Sequence, residues 1–252
     1  MPRSVCALCL QPKELSDSHI IPNAYFKAMK RDNSGKLVAF DSSNESEAQQ
    51  SIESWYQKLL CHECEQRFSK WETSSIETLR RTALSIEKSG NHGGLIKAYD
   101  YSTLRLFLLS ILWRAAASDL PEFGEMVLPT GYQERLRRAL NEENLSENLA
   151  LNCRLMKIVD SAGVFTARNF ENIAVSPSIE PAGANGKCTF IFGGYLVEYF
   201  VPRMPSKISR KLGVLKQQAE QFIPTIEMTG IPKLMALFVA GHRKSLSGKR
   251  PR

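Results

Sequence analysis

The sequence predicts an α+β protein, with a small cysteine-pinned N-terminal module followed by a larger region of mixed helices and antiparallel sheet. Three observations predict it. Two Cys-x-x-Cys pairs, Cys6/Cys9 and Cys61/Cys64, lie at one end of the chain. Apolar residues then recur at helical intervals, at Phe68, Trp71, Leu79, Ala83 and Ile86 and again from Leu104 to Ala115. From Leu151 to Val201 the pattern changes to short β-like runs separated by Gly and Pro, the signature of an antiparallel sheet. The expected division is 1–72 for the first module and 73–252 for the α+β region that carries a basic C-terminal tail.

Two pairs supply the four thiolates of a closed tetrahedral zinc site, and each short loop lets both sulfurs reach the ion at about 2.3 Å. Buried or redox-active thiols are the alternative for such pairs. After the first pair, Pro22 and Asn23 open a short helix from Ala24 to Lys30, and Lys36 to Asp41 alternates as a strand. Residues 41–51, rich in Ser, Asn, Glu and Gln, read as a mobile polar insertion. The second pair leads into one long helix, or two joined near Ser74-Ser75, which the cluster Ser89 to Gly94 stops. Ser102-Thr103 is placed to cap a core helix through Leu104 and Ala115 that ends before Pro121. A second, amphipathic helix covers Tyr132 to about Glu143, with Arg135, Arg137 and Arg138 on or near its exposed side. In the β-like stretch, Gly193-Gly194 separates two apolar strands, and Cys153 and Cys188 read as core thiols. Residues 206–223 and 231–242 read as helical again.

With 252 residues and 43% hydrophobic content the chain has enough material for a sizeable core. No charged-then-apolar leader precedes Cys6, and charges interrupt every apolar run, so a soluble, cytoplasmic protein without a membrane partner is expected. The net charge of +7 is unevenly placed: residues 203–252 hold eleven Lys/Arg against Glu220 and Glu227. Lys207, Arg210, Lys211 and Lys216, with Arg243, Lys244, Lys249, Arg250 and Arg252 at the end, suit contacts to phosphate. A solvated face with a soluble tail is the other reading of the same residues. Phosphate-loop, Gly-x-Ser-x-Gly and His-Glu-x-x-His patterns are absent from the sequence.

Between the cysteine pairs stands Ser18-His19-Ile20-Ile21-Pro22, and the second pair sits in Leu59-Leu60-Cys61-His62-Glu63-Cys64-Glu65. Over about residues 4–72 this arrangement resembles the HNH (ββα-metal) endonucleases of the zinc-containing treble-clef type. The resemblance implies that His19 is the general base that activates water against a phosphodiester, while a divalent ion, Mg²⁺ or Mn²⁺, steadies the charge on the phosphate. The position before the histidine, commonly a metal ligand, is Ser18, and Asp17 would reach the site only across a backbone bulge. Tyr56 stands where the family has its central Asn. For the ligand supplied by the metal-site helix the candidates are Glu65 and Glu72, which share one helical face. Glu65 is favoured because it adjoins Cys64. His62 is expected to face solvent, and His92 and His242 to be structural or phosphate-contacting.

The resemblance thus implies a metal-dependent nuclease acting on nucleic acid, DNA before RNA, of the kind found in bacterial and phage conflict. The region 73–252 would position substrate, or act as a sensor or docking site for a protein partner or a second copy. Ser18 and Tyr56 favour the rival expectation, a catalytically degenerate zinc-containing nucleic-acid-binding or adaptor protein.

Overall fold

The computed structural model describes residues 4–32, 39–40, 54–144, 152–182 and 185–247. Strand β1 (Leu15–His19) is followed by helix α1 (Asn23–Asp32), the two-residue strand β2 (Ala39–Phe40), strand β3 (Tyr56–Cys61) and helix α2 (His62–Lys88). β1 and β3 pair antiparallel, Leu15 opposite Cys61 and His19 opposite Tyr56, with a bulge between Ser16 and Asp17. β2 falls within the expected Lys36–Asp41 strand; the flanking residues of that strand and the polar stretch 41–51 lie outside the described residues, apart from its own two.

α2 is a single helix without a break at Ser74-Ser75. Its buried residues Cys64, Phe68, Trp71, Ser75, Leu79, Thr82 and Ile86 stay in phase at helical spacing, and Ser75 is part of that stripe. The helix crosses residue 72 uninterrupted and ends at Ser89, where the backbone N–H of Ser89 returns to Ser85 and Ile86. Strand β4 (Gly94–Ile96) then leads to α3 (Tyr101–Ala116), buried on nearly every side. The α3 cap is Asp100, whose carboxylate accepts from the Ser102 N–H at 2.8 Å and the Thr103 hydroxyl at 2.7 Å. Ser102 and Thr103, expected to cap, are thus the capped residues. α4 (Thr130–Glu142) follows on the predicted span.

The larger sheet is built from β5 (Cys153–Val159), β6 (Ala174–Ala182), β7 (Asn185–Phe192), β8 (Tyr195–Val201) and a late strand, β10 (Thr225–Glu227). A short helix α5 (Ala167–Glu171) lies between β5 and β6. The order is β10-β5-β8-β7-β6-β2. The four central strands are antiparallel, as expected, but both edge pairs, β10 with β5 and β2 with β6, are parallel. β7 and β8 join through Gly193-Gly194, with φ of 59° and 77°, the left-handed pair that a two-residue hairpin turn requires.

Apolar side chains pack on both faces of this sheet. Cys153, Leu155, Phe190, Phe192, Tyr195 and Tyr199 face α2, α3 and the N-terminal strands. Met156, Ile158, Ile191 and Leu196 face Ile231, Leu234 and Leu237 near the C-terminal helix. Two buried tyrosines tie sheet to helices: the Tyr195 hydroxyl donates to the Leu79 carbonyl at 2.7 Å and that of Tyr199 to Leu108 at 2.8 Å. Cys153 and Cys188 are buried core thiols, as expected.

The stretch 206–223 departs from its expected helix. Only α6 (Ser206–Ser209) is helical, and strand β9 (Gln221–Ile223) closes on β4. The physical reason lies at Gly213, which takes φ 83° and accepts the Leu155 N–H through its carbonyl, after which Leu215 donates to Cys153. Val214 and Leu215 are drawn against β5 and buried; the lysine spacing had no matching apolar stripe to hold a helix. The final helix α7 (Pro232–Ser247) contains the expected 231–242 span except its first residue. Among the described residues no helix is long and apolar enough to cross a membrane.

Candidate active site and metal centre

The first cysteine pair lies in a tight turn. Leu10 donates to the Cys6 carbonyl at 2.9 Å, Cys6 donates to the Gln11 carbonyl at 3.0 Å, and Leu10 takes a left-handed φ of 59°. The turn is attached to β3 by the Ala7 N–H on the Leu59 carbonyl. Cys61 ends β3 and is also the N-cap of α2, where no side chain makes a capping hydrogen bond. Its N–H points instead at the Cys6 sulfur, 3.3 Å away.

Cys6, Cys9, Cys61 and Cys64 thereby bring four sulfurs within 4.8 Å of one another. The Cys9 and Cys61 sulfurs are 3.9 Å apart; an ideal tetrahedron with Zn–S near 2.3 Å has sulfurs about 3.8 Å apart. The arrangement can hold a metal such as zinc, the ion that an all-thiolate tetrahedral donor set suits. Burial pushes the Cys61 thiol up to about 11 and that of Cys64 further. Cys6, equally opposed by burial, is held below the ordinary thiol range by N–H groups of Cys9, Cys61 and Leu8. Without a cation, Cys61 and Cys64 stay protonated at neutral pH, so metal uptake must release protons.

β1 carries the Ser-His pair to the rim of this centre. Ser18 is fully buried; its hydroxyl accepts the Leu60 N–H at 3.0 Å and donates to the Ser16 carbonyl at 3.5 Å. The bulge that could have turned Asp17 inward exists, yet Asp17 stays outside and pairs with Lys58 at 2.9 Å. His19 is half-buried, its ring 5.5 Å from that of Tyr56 and 6.2 Å from Phe26. Its Nε2 lies 3.0 Å from the Ser54 hydroxyl. Burial, reinforced by the positive charge of Arg114, lowers the His19 imidazole to about 4, so the ring is uncharged at neutral pH. The unfolded chain takes up this proton near pH 6.5 and the folded chain only near 4, so His19 subtracts from stability as pH falls through that window.

α2 contributes the carboxylates. Glu65 is half-buried, with one carboxylate oxygen, Oε1, that has no hydrogen-bond partner among the described residues. Burial pushes its carboxyl up, against the opposing pull of Ser18 and Arg114. Two turns on, Glu72 pairs with Arg114 at 2.7 Å. Arg114, from α3, is almost wholly buried. Its guanidinium donates to the His19 carbonyl at 2.6 Å and lies 5.4 Å over the Phe68 ring. Sequence reasoning missed this residue: Arg105 and Arg114 both lie in the largely apolar stretch from Leu104 to Ala115, and nothing local separates their roles. His62 is exposed and bonded to Gln66, as expected of a solvent-facing residue. Arg137, expected near the exposed side of α4, donates inward to the Leu8 carbonyl of the cysteine turn.

Among the described residues the four cysteines are the one group of three or more His, Cys, Asp or Glu side chains whose ligand atoms converge. Of the three candidate ligands, Glu65 offers an oxygen with neither a hydrogen bond nor an ion pair among the described residues, whereas the Ser18 hydroxyl accepts the Leu60 N–H and Glu72 is ion-paired with Arg114, so a divalent ion beside His19 would be held by Glu65 first. That is within the habit of Mg²⁺, which is often held by one or two carboxylates together with waters and substrate phosphates.

Metal analysis should find one tightly held zinc per chain. Cys61→Ser should lose it and unfold the hairpin, seen as lost amide protection in β1 and β3, because structural zinc contributes roughly 10–16 kcal/mol coupled to folding. Arg114→Met should cost about 3–5 kcal/mol in a denaturant titration, the penalty for stranding the buried Glu72 carboxylate; Glu72→Gln in the same background should restore part of it. No known protein family, curated protein or solved structure matches this chain, so its function has to be argued from these residues.

Proposed function

We propose that the chain is a metal-dependent endonuclease of the zinc-containing treble-clef, ββα-metal type. It hydrolyses phosphodiester bonds of nucleic acid, DNA before RNA, with His19 as general base. The observation that carries the reading is the placement of His19, at the end of the strand paired with the cysteine-ended β3, with a hydroxyl 3.0 Å from its Nε2; burial and Arg114 favour its uncharged form. The Ser54 hydroxyl lies within hydrogen-bond reach of Nε2, as a water to be activated would have to lie, and the lowered imidazole carries one ring proton at neutral pH, which leaves one nitrogen with a lone pair.

The other residues fit this role. Arg114 fixes the His19 backbone through its carbonyl, and the Tyr56 and Phe26 rings hold the imidazole plane. Glu65 is the residue that would hold Mg²⁺ or Mn²⁺, and such an ion would stabilise charge on the phosphate and the departing oxygen. An open groove of about 500 Å³ runs between α1 and α2, lined by Lys27, Ser69, Thr73 and Arg80 together with Glu72, which is paired with Arg114, and the exposed Glu77. Its exposed cations suit a phosphate backbone. The cysteine centre holds zinc and has a structural part.

A second reading is favoured by the ion pair between Arg114 and Glu72 and by the engaged Ser18 hydroxyl. Both groups occupy the neighbourhood where a fuller set of metal ligands would be expected. On that reading the module binds nucleic acid without cutting it, or serves as an adaptor.

The zinc-loaded protein, incubated with supercoiled plasmid, single-stranded DNA and RNA in Mg²⁺ or Mn²⁺, should nick or cut. His19→Ala that keeps its zinc should be slower by about 10²–10⁴. The pH–rate profile should show no break near 6.5, where an unperturbed imidazole titrates. Equal cleavage by both proteins would rule out His19 as the base. No cleavage by either, with DNA binding intact, would establish the binding-module reading.

A further inference from the structure

Where the N-terminal module meets the large sheet, a second cavity of about 110 Å³ opens between α1, α2, α5 and the β7–β8 turn. Tyr25, Arg31, Asp32, Arg80, Glu171 and Asn172 supply its polar lining. Tyr25 is 5% exposed and its hydroxyl has no hydrogen-bond partner among the described residues. Leaving a buried hydroxyl unpaired costs roughly 1–3 kcal/mol, so its retention at a cavity wall, where Phe would pack equally well, calls for a partner that arrives from outside. The ring is locked in place by Phe192 at 5.4 Å and by Gly193, where any Cβ would collide with it.

The charges of the lining point to the sign of that partner. Both acids are already neutralised: Asp32 takes Arg168 at 2.8 Å and the Asn172 amide at 3.1 Å, and Glu171 takes the buried Lys157 at 3.2 Å. Arg80 makes no ion pair among the described residues, and Arg31 has only a 3.5 Å contact to the already satisfied Asp32. The cavity therefore presents two guanidinium groups and one hydroxyl donor from two different helices, with no carboxylate left over to attract a cation. Donors from two helices that flank one cavity suit an oxyanion, and Arg is the side chain whose fork fits phosphate oxygens.

We propose that this cavity is a binding site for one phosphate group, held by Arg80, Arg31 and the Tyr25 hydroxyl. It does not rest on the nuclease reading. The phosphate belongs either to a nucleic-acid backbone or to a free phosphate or mononucleotide. Arg80 also lines the groove between α1 and α2, so a strand lying in that groove would reach the cavity without leaving the surface.

The test is calorimetric titration of the full-length, zinc-loaded protein with inorganic phosphate, adenosine monophosphate and a short single-stranded oligonucleotide. Arg80→Gln and Tyr25→Phe would be titrated alongside it. Arg80 is exposed and Tyr25→Phe removes one buried oxygen, so both variants should fold, and their melting curves check this. Inorganic phosphate should bind saturably to the native protein, about tenfold or more weaker to Arg80→Gln and roughly threefold weaker to Tyr25→Phe. If the oligonucleotide weakens in step, the backbone is the source; if only phosphate and the mononucleotide weaken, a free ligand is. Absence of phosphate binding, or equal binding by all three folded proteins, would overturn the site.

Discussion

The convergence of four thiols on one point is the constraint from which the N-terminal architecture follows. Cys61 is at once the last residue of β3 and the cap of α2, so a metal bound there sets the angle between hairpin and helix. That angle decides whether the end of β1 and the first turns of α2 face each other. Without it, a two-stranded ribbon of five or six residues would be marginal in water, and His19 would have no fixed relation to Glu65. The same centre is held from outside by α4, whose Arg137 reaches the Leu8 carbonyl between the paired cysteines.

Arg114 is the second organising element, and it ties α3 to α2 and to the end of β1. A guanidinium buried this deeply is tolerated only because its charge and donors are met by Glu72, the His19 carbonyl, Ser110 and the Phe68 face. Its charge helps keep the imidazole neutral, and its geometry fixes the strand that carries it. Because Arg114 comes from α3, which packs against the large sheet through Tyr199, any change in how the sheet seats against α3 would be felt at His19. The α+β region is therefore coupled to the candidate site by packed structure and not only by a linker.

What could be read beforehand was what is local in the chain. The cysteine pairs, α1, the start of α2, the α4 span and the Gly193-Gly194 turn all follow from spacing and backbone preference over a few residues. The burial of Cys153 and Cys188 followed from their apolar surroundings. What stayed hidden depends on distant contacts. The bond from Arg114 to His19 spans 95 positions, and nothing around Arg114 distinguishes a buried ion pair from a helix edge. The parallel edge strands depend on which distant segments come to lie beside β5 and β6. The helix expected over 206–223 failed for a similar reason, since a left-handed Gly213 and the pull of β5 on Val214 and Leu215 outweigh charge spacing. The cap of α3 was misplaced by two residues because Asp100, Ser102 and Thr103 are all competent capping types and only the carboxylate ended up facing the free N–H.

The four converging thiols would surround a bound metal such as zinc with sulfur alone. X-ray absorption at the zinc edge of the purified, full-length protein measures this directly. A single shell of four sulfurs at about 2.3 Å is expected. A shell that includes nitrogen or oxygen, or protein that is folded and free of zinc, would contradict it and would detach His19 from the helix it is held to face.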